Sequence, residues 1–108
     1  MSRSAPDRRA AFDDLIHSPV RLRICALLRR TDEVEFAVIR DTLEVSDAHL
    51  SKNLKLLADA EYLRLRKESS PGSGDARKRT WVALTAAGRD AVEGHLAALA
   101  RIAGEPLG

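Results

Sequence analysis

Ser46-Asp47-Ala48-His49-Leu50-Ser51-Lys52-Asn53-Leu54-Lys55-Leu56-Leu57 is the stretch on which the reading of this chain turns. Ser46 is a good N-cap, because its hydroxyl can accept from the unpaired amides of a first helical turn, and Asp47 sets negative charge against the positive end of the helix dipole. The pattern predicts a helix over 46–60. At about 100° per residue, Leu50, Leu54 and Leu57 share one side while Ala48, Lys52 and Lys55 point the opposite way, flanked by His49 and Ser51. The outward side is small, polar and cationic. Such residues suit a DNA major groove: small side chains let the backbone approach, hydroxyl and imidazole groups can bond base edges, and lysines neutralise phosphates or reach guanine. They suit an ordinary solvated helix face equally well, so this helix alone does not decide between the two.

Upstream, the segment from Glu35 to Leu43 places Phe36, Ile39 and Leu43 at helical spacing, with Val34 as a stub of strand before it. Only Glu44-Val45 separates this segment from Ser46. The second helix must therefore turn sharply against the first, which is the arrangement of a helix-turn-helix over 35–60. Farther back, Ser18-Pro19 ends one pattern and starts another, because proline disfavours helix at the preceding residue yet fits the first turn of its own. A helix over 19–30 buries Val20, Ile24, Leu27 and Leu28. A shorter one is expected over 7–16, with Phe12, Leu15 and Ile16 as its apolar stripe.

Downstream, Tyr62 to Glu68 alternates, with Leu63 and Leu65 on one face and Arg64 and Arg66 on the other, the period of a half-buried strand. Thr80 to Leu84 reads as the returning strand, and Ser69-Ser70-Pro71-Gly72-Ser73-Gly74-Asp75 as the turn, giving a hairpin over 62–84. Beside the tip, Arg77, Lys78 and Arg79 form a basic run; the glycines and serines let such a loop follow a phosphate backbone, and arginine can enter a narrow minor groove. Two cationic features flanking one helix-turn-helix weigh against mere solvated charge. Trp81, opposite in phase to Val82 and Leu84, is expected to pack near the arginines of the neighbouring strand. Thr85 can cap a last helix over 85–103, in which Val92, Leu96, Leu99 and Ala103 line one side and Asp90, Glu93, Ala97 and Arg101 the other. Together with Phe12, Leu15 and Ile16, that stripe is more apolar surface than a small core needs, which points to a dimer interface. Folding of both helices back onto their own domain is the alternative.

A chain of 108 residues, 44% of them hydrophobic, fits one domain over 1–108, of α+β class: mainly helical with one small β-hairpin. No run of about 18 apolar residues is present to span a bilayer, and Met1 to Ala10 is polar and basic without the apolar stretch of a secretory signal, so a cytoplasmic protein is expected. The net charge of +2 is mild, and where the charges sit matters more. Cys25 lies in an apolar helical run and reads as a small hydrophobe. His17, His49 and His95 are too far apart in sequence for the spacing usual in a metal site. His95, beside the last apolar stripe, reads as a structural histidine in preference to a pH-sensitive interface group. Asp13 and Asp14 are adjacent and so face different ways on a helix, a poor arrangement for paired acid and base work, and Gly72-Ser73-Gly74 is not followed by a helix. The expectation is a non-enzyme without cofactor or metal.

Three segments in this order and spacing resemble bacterial winged helix-turn-helix transcription regulators of the broad MarR-like and ArsR-like group. They are Ser18-Pro19-Val20-Arg21-Leu22-Arg23-Ile24, the stretch from Ser46 to Leu57, and Arg79-Thr80-Trp81-Val82-Ala83-Leu84-Thr85-Ala86-Ala87-Gly88-Arg89. The resemblance covers residues 12–100 and is nearest to short regulators without an added sensor domain. It implies a three-helix core plus a wing and terminal dimerisation helices, a homodimer, a recognition helix from Ser46 to Ala60 and a wing from Ser69 to Arg79. The implied function is transcription regulation by sequence-specific binding of double-stranded DNA, as a repressor on an inverted-repeat operator. Ser46, Ala48, His49, Ser51, Lys52 and Lys55 would be the helix contacts and Arg77, Lys78 and Arg79 the wing contacts. Phe12, Leu15, Ile16, Val92, Leu96, Leu99 and Ala103 would form the interface. A protein-binding adaptor is the rival, disfavoured because the face around Ala48, Ser51 and Lys52 lacks large apolar anchors. A small-molecule effector between the terminal helices and the core is compatible with DNA binding. The chain departs from the group at Glu61, where a helix-ending glycine is usual, which predicts a strained turn or a longer helix. It also departs at Asn53, where many relatives carry histidine, and at His49, so their operators do not carry over. The cysteine motif of ArsR-type metal sensors is absent from 35–43.

Overall fold

The computed structural model of the protein describes residues 10–69 and 78–104. Their elements follow in the order α1 (Pro19–Leu28), β1 (Val34–Glu35), α2 (Phe36–Leu43), α3 (Asp47–Asp59), β2 (Leu63–Ser69), β3 (Lys78–Leu84) and α4 (Ala86–Gly104). The fold is α+β. β3 is the central strand of an antiparallel sheet of order β1-β3-β2, in register from Leu63↔Leu84 to Ser69↔Lys78 on one side and at Val34↔Val82 on the other. Because strand side chains alternate, Leu63, Leu65 and Lys67 share a face with Leu84, Val82 and Thr80. Leu63, Val82 and Leu84 join Ile24, Leu28, Ile39, Leu50, Leu57 and Val92 in one core. Cys25 belongs to that core, and burial pushes its thiol up to about 12, so it stays a protonated, unreactive hydrophobe.

Local chemistry explains where the helices stop. α2 ends at Glu44, whose φ of 58° is left-handed, and the Val45 amide donates back to the Arg40 carbonyl at 3.2 Å. That single residue turns the chain from α2 into α3. α3 closes in the same way: Glu61 has φ 66°, its amide donates to the Ala58 carbonyl at 2.8 Å, and the Tyr62 amide to that of Leu57 at 3.0 Å. This is the Schellman closure that usually holds glycine, so Glu61 occupies a strained backbone position and does not lengthen the helix. The start of α4 is packed onto this junction. The Thr85 amide donates to the Tyr62 carbonyl at 3.0 Å and the Thr85 hydroxyl to that of Glu61 at 2.7 Å, while the same hydroxyl accepts from the Gly88 amide at 2.9 Å. A Cβ on Gly88 would stand 2.0 Å from the Tyr62 carbonyl oxygen, which leaves room for glycine only.

Two expectations are corrected. The described part of the predicted helix over 7–16 is an irregular strap with a turn over 14–16. Its amides are drawn elsewhere: Ala11 donates to the Gly94 carbonyl at 2.9 Å, Asp13 to the His95 ring at 3.0 Å, and the Asp13 carboxylate takes the Ile16 amide at 3.1 Å. Tertiary bonds to α4 thus replace the helix's own. The second concerns the apolar stripes: Ile16 and Val92 are fully buried within the chain itself and are not available as interface surface. Of the others, Phe12 and Ala103 are exposed, and Leu15, Leu96 and Leu99 are half-buried. Ile102, which the stripe omitted, is 68% exposed. Among the described residues no helix is long and apolar enough to cross a membrane.

Candidate nucleic-acid interface

α3 divides as its sequence implies. Leu50, Leu54 and Leu57 are buried, whereas Ser46, Ala48, His49, Ser51, Lys52 and Lys55 are all exposed on a continuous outer face. Ser46 caps the helix by accepting the His49 amide at 3.0 Å, and its own hydroxyl proton remains free to donate. Lys52 has no ion pair among the described residues, and Lys55 lies 3.2 Å from Asp59, one turn on. Both ammonium groups are on solvated stems and can be redirected to a phosphate at little cost. At the helix-turn-helix corner, Arg40 bonds Asp41 at 3.0 Å and Asp47 at 2.9 Å, and these carboxylates raise its already high pKa. Its charge is spent on holding α2 against the first turn of α3.

The wing lies to one side. Lys78 and Arg79 are exposed on β3, with Arg79 3.8 Å from Glu35, and Arg77 lies outside the described residues. On the face of the sheet turned from α3, the Arg66 guanidinium sits 5.7 Å over the Trp81 ring and pairs with Glu33, whose carboxylate raises its pKa. The Trp81 indole donates to Glu68 at 2.8 Å. Trp81 is therefore a packing residue of the hairpin. Between α3 and the other face runs an open groove of about 440 Å³, floored by Phe36, Leu54, Ala58 and Leu65 and rimmed by Ser51, Lys55, Lys67 and Thr80. Lys67 carries no ion pair among the described residues. It is a cation missed in the sequence, although the alternation of Leu63 and Leu65 already placed it on the α3 side.

Asn53, noted in the sequence only as a departure from the histidine of relatives, does not lie on the outer face. It is 4% exposed on the concealed side of α3, where its carbonyl accepts from Arg21 at 2.7 Å and its amide donates to the His49 carbonyl at 2.9 Å. A second polar cluster gathers around His95 of α4, the one member of it that is buried. His17 and His95, remote in sequence, stand with Nδ1 and Nε2 3.2 Å apart, and the Phe12 ring lies 4.7 Å from each imidazole. Since the Asp13 amide must donate to His95 Nδ1, the proton of neutral His95 is on Nε2 and is donated to His17. Burial, and then His17, lowers the His95 pKa. The Asp13 carboxylate accepts the Tyr62 hydroxyl at 2.6 Å, which pushes that phenol up to about 12. No group of three His, Cys, Asp or Glu residues placed to hold a metal occurs among the described residues.

Known proteins share this architecture. A solved structure of a transcriptional regulator homologue from Pyrococcus horikoshii superimposes with a TM-score of 0.73 at 26% identity, covering 86% of this chain and 89% of that one. The structure of ZitR from Lactococcus lactis, solved as a mutant, matches at a TM-score of 0.61 and 19% identity over 97% of this chain and 63% of its own, a likeness of fold alone. An uncharacterised protein of Methanocaldococcus jannaschii is 28% identical over 82 residues, 76% of this chain and 85% of that protein. A family model described as a winged helix DNA-binding domain matches residues 20–103. The chain belongs to this family of winged helix DNA-binding domains.

Proposed function

We propose that the protein regulates transcription as a homodimer that reads an inverted repeat, with α3 of each protomer in a major groove and the β2–β3 wing against the adjoining backbone. The observation that carries this reading is the outer face of α3, where Ala48, His49, Ser51 and Lys52 are all exposed: Ala48 and Ser51 are small enough to let the helix backbone approach base edges, and His49 and Lys52 are long enough to reach them. Ala48, His49 and Ser51 select the site. Lys52, Lys55 and Lys67, with Arg77, Lys78 and Arg79 of the wing, supply affinity that depends little on sequence. Phe12, Leu15, Leu96, Leu99, Ile102 and Ala103 pair the two protomers, which places the recognition helices about 34 Å apart on one face of the duplex. Occupation of the operator blocks polymerase, and no catalytic step is involved.

The test is a titration of duplexes, first selected from a random pool, over a range of salt concentrations. Each phosphate contact releases counterions, so replacing Lys78 and Arg79 with alanine, which removes four contacts from a dimer, lowers the slope of log affinity against log salt by about 4. An unchanged slope removes the wing from the interface, and salt-independent binding by the wild type removes the whole reading. Sedimentation at increasing concentration tests the dimer, and a protein that stays monomeric sinks that part alone.

A further inference from the structure

The concealed side of α3 is apolar except at Asn53, and both ends of that side-chain amide are used. Its carbonyl oxygen accepts from Arg21 Nη1 at 2.7 Å, and its nitrogen donates to the backbone carbonyl of His49 at 2.9 Å. Arg21 belongs to α1, and its Nε donates at 2.6 Å to the carbonyl of Leu15 in the strap. One planar guanidinium thus brackets three segments of chain, and among the described residues no buried side-chain nitrogen or oxygen is left without a partner.

The leucines on either side of Asn53 hold α3 to the core by contacts that have no preferred direction, so they set its distance from the core more firmly than its exact orientation. Hydrogen bonds are directional. The bracket grips α3 at Asn53, whose side chain is itself steadied by the His49 carbonyl one turn back, beneath the residues of the outer face. Flexible lysines still find phosphates after a small rotation of the helix, whereas bonds to base edges need placement within about 0.5 Å and 10–20°. We propose that Asn53, held by Arg21, is a positioning residue for DNA recognition: the pair sets the rotation and depth of α3 and so governs discrimination between sites, without touching DNA. This rests on the reading that α3 enters the major groove.

The test compares affinity for a selected duplex with affinity for a scrambled one of equal length, at fixed salt, with melting temperature and salt slope recorded for each protein. Asn53→Leu alone leaves the Arg21 guanidinium without its acceptor and can unfold the chain, so the decisive variant is the double Arg21→Leu/Asn53→Leu, which removes both polar partners. It is expected to lose about tenfold in discrimination, the size of one base contact, while scrambled-duplex affinity and salt slope stay within about twofold. Asn53→Asp gives up the bond to the His49 carbonyl, which lies within α3, but keeps the acceptor for Arg21 that ties α3 to α1, and should retain discrimination within about threefold. Unchanged discrimination in the double variant overturns the proposal. So does a loss equal on both duplexes, which marks a merely structural pair. A wild-type protein that prefers no duplex overturns instead the reading of α3 on which the proposal stands.

Discussion

Along α3 the chain is fixed twice, beneath its middle by the side chains of Arg21 and Asn53, and beyond its last turn by backbone, where Glu61 and Tyr62 meet the start of α4. The side-chain hold can be removed by substituting two residues, with every backbone bond of α3 left available. The backbone hold cannot, because its carbonyls and amides are bonded in place and make demands that only certain residues satisfy. Gly88 meets one of those demands, space; Glu61 fails another, a left-handed dihedral. The two holds converge on the strap, since Arg21 bonds the Leu15 carbonyl and Tyr62 bonds the Asp13 carboxylate. On the proposed reading, the setting of α3 is tuned through side chains while the end of the helix is held by backbone.

Gly88→Ala should show the largest effect. The added methyl would lie 2.0 Å from the Tyr62 oxygen, inside any real contact, and its obstacle is backbone that Thr85 and the Schellman closure hold still. A loss of at least about 3 kcal/mol is expected, read from denaturant unfolding. A loss under about 1 kcal/mol would mean that the junction yields, and the contrast between the two holds would disappear.

Tyr62→Phe comes next, at about 2 kcal/mol, because it removes a hydrogen bond to a carboxylate and leaves the backbone junction untouched. The same bond is visible without mutation. This is the only tyrosine in the chain, so its ultraviolet titration should have its midpoint near 12, and Asp13→Asn should return it toward 10.

A smaller effect is expected from acid. His95 is held neutral by burial, with His17 opposing its protonation and Asp13 and Asp14 favouring it. Its folded pKa lies below the ordinary 6.5, so the unfolded chain binds the extra proton first. Stability is therefore full above about pH 6.5 and falls as pH drops from there toward the folded pKa. Protonation at Nδ1 also removes the acceptor for the Asp13 amide and loosens the strap. His95→Asn, whose side-chain oxygen can accept that amide but does not titrate, should flatten the fall; an unaltered profile would assign it to another group.

What could be read in advance follows from how local each signal is. In α3, cap, period and the division into two faces all lie within twelve residues and agree, and the hairpin announced itself by alternation. The strap did not, because the partner of its Asp13 amide is 82 residues away, and a stripe of Phe12, Leu15 and Ile16 looks the same whether it coils or lies flat against α4. Asn53 stood out only as a departure from the histidine of relatives, and its role was hidden for a similar reason, its partner Arg21 being 32 residues upstream. Helical spacing put Ile16 and Val92 on apolar stripes, but did not show that the chain itself covers them.

Glu61→Gly isolates the demand that this chain leaves unmet. A side chain in the left-handed region costs about 1–2 kcal/mol, and glycine removes that cost while adding about 0.5–1 kcal/mol of backbone freedom to the unfolded state. Glu61 is exposed and its carboxylate has no partner among the described residues, so nothing else is given up. The balance is a gain of about 0.5–1 kcal/mol, with affinity and discrimination for DNA unchanged because the closure at Leu57 and Ala58 keeps its geometry. A loss of stability would show that the glutamate side chain contributes something the contacts do not reveal. A gain would set Glu61 beside Gly88 as two neighbouring positions that both favour glycine, one for its dihedral and the other for its lack of a side chain.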